Sequence, residues 1–367
     1  MSYKVYSLGD LVQIKYGKNQ KKVVSDDGSF PIYGTGGLMG HAIEYLYDKP
    51  SVLIGRKGTI NKVKYVDHPF WTVDTLFYTV VNEEIVIPKY LYYLMSLLDL
   101  EAYNEGTTIP SLRTETLNRL EFTIPSIDIQ KVILSCLNPI DEKIEINSKI
   151  NYNLQQQLFA IYKEFIGKSR EMEIITLDKI CDFQEGYVNP AQTHPEYFDG
   201  SVKWLRAVDI NESFIINTSR TLTDKGFLSA KKSAILFKPN TIAISKSGTI
   251  GRLGIISDYM CGNRAVINIA PKESSNLPFI YCFLKLKQKE FPDMAVGSVQ
   301  KNLYVSILES LEVKVPQKEL DSFNQIGQLI LEQIQNNCYE IATLTDIRDT
   351  ILPQLLSGKI DVSEFDI

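Results

Sequence analysis

The chain is poor in the residues that carry covalent or metal chemistry. Its 367 residues include only five cysteines and three histidines. Cys136, Cys181, Cys261, Cys282 and Cys338 lie far apart and form no CxxC pair, which argues against a disulfide framework and a zinc site alike. Buried, reduced thiols are expected. His41, His68 and His194 are scattered, without metal-ligand spacing. Long apolar runs are missing too: nothing approaches the roughly 20 residues of a membrane-spanning helix. The opening MSYKVYSLGD has no apolar signal core behind its charge, so the expected location is the cytoplasm.

Two enzymatic signatures are also absent. YGTGGLMG (33–40) is glycine-rich but lacks the Gly-Lys-Ser/Thr that sets a lysine on terminal phosphates, so it does not read as a P-loop. The Pro-Pro-aromatic tetrad with which adenine and cytosine methyltransferases grip a flipped base has no counterpart. Asn138-Pro139 and Asn189-Pro190 are followed by Ile and Ala.

The formal net charge of −5 sets 39 Lys and Arg against 44 Asp and Glu, which looks unfavourable for a nucleic-acid partner. The acid excess is local. Residues 317–367 hold 3 basic and 9 acidic side chains, whereas residues 174–316 hold 17 basic and 14 acidic ones. Basic clusters outside the last segment remain available to phosphates.

What the chain does have is a repeat. YSLGDLVQIKYGKN (6–19) matches ITLDKICDFQEGYVN (175–189) through Leu8/Leu177, Leu11/Ile180, Ile14/Phe183 and Gly17/Gly186. GRKGTI (55–60) matches SKSGTI (245–250), each after a β-branched run. PKYLYYLMSL (88–97) then matches LPFIYCFLKL (277–286), and GTTIPSLRTETLNRLEFTIP (106–125) matches GSVQKNLYVSILESLEVKVP (297–316). The order never changes, so the chain is a tandem duplication.

After each closing proline, Pro125 and Pro316, the apolar period moves from two toward three and a half. Ile133, Leu137, Ile140, Ile144, Ile150, Leu154, Leu158, Ile161 and Phe165 form one series; Ile326, Ile330, Ile334, Ile341, Leu344, Ile351 and Leu355 form the other. Each predicts a long amphipathic helix of about forty residues, roughly 60 Å at 1.5 Å per residue. Asn147 and Asn337 fall near the apolar seam, where a polar residue can fix register. Pro139 and Pro353 should kink or fray the helices. The expected fold is α+β: two similar globular α/β units, 1–125 and 174–316, separated by two long antiparallel, coiled-coil-like helices in a pseudo-twofold arrangement. The first helix and return turn occupy 126–173. The second helix and the tail occupy 317–367, with SGKIDVSEFDI running back against the first half.

Polar side chains cluster at corresponding places in the two halves. The hairpin tips offer Arg56, Lys57 and Asn61, against Lys246, Ser247 and Arg252. KNQKK supplies Lys18, Lys21 and Lys22; KWLRAVD supplies Lys203, Trp204 and Arg206. The pre-strand loops add Thr107, Thr108 and Arg113, matched by Gln300, Lys301 and Asn302. Arg, Lys, Asn and Gln can read base edges by hydrogen bonding, while Lys, Ser and Thr also hold phosphates. The copies agree in their Leu, Ile, Gly and Pro scaffold and differ at the tips, a pattern suited to reading different letters. No catalytic or metal-binding residue is assigned. Two other readings stay open: a stand-alone Mg²⁺-dependent nuclease using Asp293, Glu312 and Lys314, and a helical scaffold with peptide-binding heads.

The YGTGG and GRKGTI segments, the G-T-T-x-P-S-L approach to a strand ending in Pro, the long helix, their repetition and the closing QLLSGKI resemble the specificity subunit of type I restriction–modification systems. The similarity spans essentially the whole chain. It implies a non-catalytic protein whose two target recognition domains each read one half of a bipartite sequence in double-stranded DNA. The helices would set the spacer and dock two modification (methyltransferase) subunits. S-adenosylmethionine, ATP and Mg²⁺ would then be bound by partners, including a restriction or motor subunit where one is present, and not by this chain.

Overall fold

The structure, a computed structural model, describes residues 3–298, 300–316 and 318–362. The chain divides into two compact units, one of residues 1–141 with 346–367, the other of residues 142–345. The first unit contains β1 (Tyr3–Ser7), β2 (Val12–Tyr16), β3 (Phe30–Gly34), β4 (Gly37–Ala42), β5 (Ser51–Gly55), β6 (Val63–Val66), β7 (Trp71–Thr72), β8 (Leu76–Val81) and β9 (Glu121–Pro125). The second contains β10 (Met172–Thr176), β11 (Cys181–Glu185), β12 (Phe198–Leu205), β13 (Phe214–Ile215), β14 (Thr221–Leu222), β15 (Leu236–Phe237), β16 (Ile242–Ser245), β17 (Leu253–Ile256), β18 (Met260–Gly262), β19 (Val266–Pro271) and β20 (Glu312–Pro316).

The duplication is visible strand by strand. β1 pairs antiparallel with β9 from Tyr3↔Pro125 to Ser7↔Glu121, and β10 pairs with β20 from Met172↔Pro316 to Thr176↔Glu312, the same five-residue register. Leu8 N–H then donates to the Leu120 carbonyl at 2.7 Å, and Leu177 N–H to that of Leu311 at 2.9 Å. The main sheets follow one order: β2-β8-β5-β6 in the first unit and β11-β19-β16-β17-β13 in the second, which adds β13 at one edge. A short helix, Pro88–Ser96 or Leu277–Lys287, covers each sheet. Both begin with Pro in the first turn, where its missing N–H has no intrahelical acceptor to lose.

Gly17 and Gly186 close both main sheets in the same way. A Cβ on Gly17 would lie 2.0 Å from the Val73 carbonyl oxygen, and one on Gly186 would lie 2.2 Å from that of Asn263. Only glycine lets the end of β2 or β11 approach that loop so closely.

The long helices run Ile127–Lys168 and Leu320–Leu356, 42 and 37 residues, in agreement with the periodicity. Neither Pro139 nor Pro353 ends its helix; both lie inside it. Each unit uses part of both helices. In the first, Ile133, Leu137, Leu352, Leu355 and Val362 join the core around Leu8, Leu11 and Tyr90. The buried Gln130 donates to the carbonyls of Ile85 and Pro125 and accepts from Ile87 N–H at 2.8 Å. Arg348 meets Asp141 at 3.0 Å. The tail thus packs on the first unit as far as Val362; residues 363–367 of the expected tail lie outside the described residues.

In the second unit Leu158, Tyr162, Phe323 and Ile334 enter the core beside Phe279. The seam there carries polar contacts from both expected asparagines. Asn147 Nδ2 donates to Glu340 Oε2 at 2.7 Å, and Asn337 Nδ2 donates to Asn151 Oδ1 at 2.8 Å. Rising numbers on one helix meet falling numbers on the other, so the segments are antiparallel. Asn151 and Asn337 are each 7% exposed. Asn337→Ala removes the donor to the buried Asn151 Oδ1 and is expected to destabilise by about 1–3 kcal/mol, whereas the paired Leu substitution restores most of the loss. Urea denaturation of the three proteins measures the difference.

Cys181, Cys261 and Cys282 are buried, Cys136 and Cys338 half-buried, and all five thiols are free. Burial pushes Cys181 and Cys261 up to about 12.

Candidate nucleic-acid interface

In the first unit β5 ends at Gly55 and the chain reverses through Arg56-Lys57-Gly58, with Gly58 at φ +91°. Backbone bonds fasten this tip on two sides. Arg56 N–H donates to the Thr75 carbonyl at 2.8 Å, Gly58 N–H donates to that of Pro110 at 2.9 Å, and Leu112 N–H donates to that of Arg56 at 3.0 Å. The tip and the loop carrying Thr107, Thr108 and Arg113 are therefore one structure. Asn104 Oδ1 closes that loop by accepting from Gly106 and Ser111 N–H at 2.8 and 2.9 Å. Thr107 and Thr108 are exposed, and Arg113 pairs with Glu105 at 3.1 Å.

Arg56 is half-buried. Its Nη1 donates to the Asp74 carbonyl at 2.8 Å and its guanidinium lies 5.2 Å from the centre of the Tyr16 ring. Lys57 and Asn61 are exposed. The chain leaving β2 joins the same region: Lys18 N–H donates to the Thr72 carbonyl at 2.8 Å, and Trp71 Nε1 donates to the Lys18 carbonyl at 2.9 Å. Lys18, Lys21 and Lys22 all face solvent.

The second unit repeats two of the three tip bonds with different side chains. Lys246 N–H donates to the Ala265 carbonyl at 2.7 Å and Leu303 N–H to that of Lys246 at 2.9 Å, with Gly248 at φ +74°. Lys246 Nζ meets Glu185 at 2.7 Å and lies 5.4 Å from the Tyr304 ring. Glu185 occupies the place of Tyr16, so a cation on an aromatic face in one unit corresponds to a cation on a carboxylate in the other. Ser247 and Arg252 flank the turn, with Arg252 N–H donating to Ser245 Oγ at 2.8 Å. Gln300 and Lys301 are exposed on the adjoining loop, which Val296 and Asn302 close as an isolated bridge.

The KWLRAVD group departs from its expected placement. Trp204 is only 4% exposed and packs with Val188, Phe198, Leu222 and Cys261, while its Nε1 donates to the Val188 carbonyl at 2.8 Å. It is a core residue because β12 runs between β14 and β18. Trp71 supplies the corresponding bulk from the opposite strand: Ile32 pairs with Trp71 on β3–β7, and Trp204 with Cys261 on β12–β18. Lys203 Nζ is held by Asp258 at 3.1 Å and by the Ile216 carbonyl at 2.9 Å, and its hydrogen bond lowers the Asp258 carboxyl. Arg206 bonds Ser219 and lies 3.6 Å from Asp209.

Arg264 was not singled out from the sequence. It is exposed on the loop whose Ala265 carbonyl receives Lys246 N–H, where the first unit has Asp74. Only the pairing of β16 with β19 reveals that neighbourhood.

The nuclease alternative gains no support. Asp293, Glu312 and Lys314 are exposed, and Glu312 and Lys314 stand on β20 opposite Thr176 and Ile174. Among the described residues no three His, Cys, Asp or Glu side chains are placed to share a metal ion. No described helix is long and apolar enough to cross a membrane.

A scaffold repeated in strand order, with added edge strands in the second copy and polar tips that differ at matching corners, fits a duplicated recognition protein. The chain belongs to the type I restriction modification DNA specificity domain family, whose model matches residues 2–156 and 169–349. It is 25% identical over 347 residues to the type I restriction enzyme MjaIX specificity subunit of Methanocaldococcus jannaschii, covering 87% of this chain and 79% of that one. It is 24% identical to the HindI specificity subunit of Haemophilus influenzae, covering 79% and 81%. The crystal structure of the type I restriction–modification S subunit from M. genitalium shares the fold, with a TM-score of 0.55 and 21% identity over 97% of this chain and 96% of that one.

Proposed function

We propose that this chain is the non-catalytic, sequence-reading subunit of a type I restriction–modification complex acting in the cytoplasm. Residues 1–125 and 174–316 serve as target recognition domains, each reading one half of a bipartite site in double-stranded DNA. The observation that carries this reading is the pair of equivalent tips, Arg56 with Lys57 and Lys246 with Ser247, each held by two corresponding backbone bonds but bearing different side chains. Lys18, Lys21, Lys22, Asn61, Thr107, Thr108 and Arg113 extend the surface of the first domain. Arg252, Gln300, Lys301, Asn302 and the newly placed Arg264 extend that of the second; Lys203 and Arg206 brace it and Trp204 packs beneath. Residues 126–173 and 317–367 act as spacers and dock two modification subunits. Those partners bring S-adenosylmethionine, and a restriction subunit brings ATP and Mg²⁺ chemistry.

Phosphate neutralisation gives the test. For the chain co-purified with its modification subunit, log affinity for duplex DNA is expected to fall linearly with log salt, losing about a thousandfold between 50 and 200 mM for some six phosphate contacts. A flat response contradicts DNA as the ligand.

A further inference from the structure

The glycine-rich hairpin β3–β4 carries large apolar side chains near the basic tip. Tyr33 pairs with Leu38 and Ile32 with Gly40, so the register shift leaves Met39 as the extra, unpaired residue of a bulge. Gly37 at φ +114° and Gly40 at +154° permit this backbone. Leu38 is 58% exposed and Met39 60% exposed, and Met39 Sδ fills the space over Gly34 that a Cβ would need. The hairpin is stitched to the basic tip. Val73 N–H donates to the Tyr33 carbonyl at 3.0 Å, Arg56 N–H donates to that of Thr75 at 2.8 Å, and Thr35 Oγ1 lies 3.7 Å from where a Gly58 Cβ would stand.

The second unit repeats the connection. Asn263 N–H donates to the Leu205 carbonyl at 2.9 Å and Lys246 N–H donates to that of Ala265 at 2.7 Å. The chain leaving Leu205 turns through Arg206-Ala207-Val208-Asp209, fixed by Arg206 N–H on Asp209 Oδ2 at 2.9 Å, and Val208 is 69% exposed. A single exposed aliphatic residue needs no explanation. Exposed apolar side chains at the same corner of both copies, on segments whose backbone is tied to the loop that holds the basic tip, are a recurrence that a lone exposure is not.

The major groove admits a two-stranded ribbon, and its one apolar feature is the thymine 5-methyl group. Building on the DNA-reading function proposed above, we infer that Leu38 and Met39 in the first domain, and Val208 in the second, are specificity-determining residues that contact thymine methyl groups in the major groove. The neighbouring lysines and arginines hold the phosphates on either side.

The test replaces thymine by uracil, one position at a time, in a duplex carrying the motif that the complex methylates. The full chain co-purified with its modification subunit is used. Removing a methyl from a closed apolar contact is expected to weaken binding about threefold to fivefold at one or more positions in each half-site. Leu38→Ser with Met39→Ser is expected to abolish that sensitivity in one half-site only, and Val208→Ser in the other only. All three residues are exposed, so the melting temperature should not change; Leu38→Ala with Met39→Ala serves should the serine pair misfold. The inference is overturned if the wild-type complex binds its motif selectively yet ignores every uracil, if a half-site holds no thymine on either strand, or if the variants stay as sensitive as wild type. Failure to prefer the motif over unrelated duplex would instead contradict the DNA-reading function itself.

Discussion

Alanine at Gly186 is expected to disable the second recognition domain, and alanine at Gly17 the first. The added methyl would lie 2.2 Å from the Asn263 carbonyl oxygen in one case, and 2.0 Å from that of Val73 in the other. The obstacles are backbone atoms, which have no rotamer to change. The chain leaving β2 or β11 must move away, and it carries the carbonyls of Lys18 and Val188 that bind the Trp71 and Trp204 indoles. Overpacking of this kind costs about 3 kcal/mol at the upper end of its usual range. For a unit of this size that is a loss of roughly 6–12 °C in melting temperature. If the two units read the two halves of a bipartite target as proposed, methylation by the complex should fall below detection in both variants. Gly167 has no neighbour within 4 Å of its would-be Cβ, so Gly167→Ala should leave stability unchanged or slightly raised. Calorimetry of the three variants beside wild type separates the contact from a general dislike of substitution.

The second large effect concerns spacing. Removing seven residues from matched turns of each long helix shortens each by about 10 Å at 1.5 Å per residue. That corresponds to about three base pairs of duplex at 3.4 Å per step. If the helices set the distance between readers, the original motif should lose its methylation and a motif with the same two half-sites and a gap shorter by about three base pairs should gain it. An unchanged gap would remove the helices as spacers while leaving the readers intact.

The duplication was legible because it is written in residues that packing and backbone geometry constrain tightly. Leu8 and Leu177 are fully buried in both copies, and Gly17 and Gly186 stand where no side chain fits. The long helices were legible from their apolar period, and Asn337 from its place on the seam. Its partner was not legible: Asn337 binds Asn151, while Asn147 binds Glu340, because the register between two helices depends on contacts that neither sequence displays alone.

The polar corners were only partly legible. Arg56 and Lys246 were found because glycine marks each turn, whereas KWLRAVD looked like a surface cluster and contains Trp204, a core residue. That strand lies in the part of the second copy that departs most from the first. Its burial follows from parallel pairing with β18, more than fifty residues away, which no local pattern announces. Arg264 was overlooked for the same reason, since its neighbour Lys246 is reached only across the sheet.

Single-molecule methylome sequencing of cells with the modification partner, with and without this chain, tests tandem reading most directly. The expected result is methylation at a bipartite motif, two short sequences separated by a fixed gap, present only with the chain. Substitutions at Arg56 and Lys57 should change one half of that motif, and substitutions at Lys246 and Ser247 the other. Methylation that is indifferent to the chain, or confined to one uninterrupted sequence altered by either set of substitutions, would contradict it.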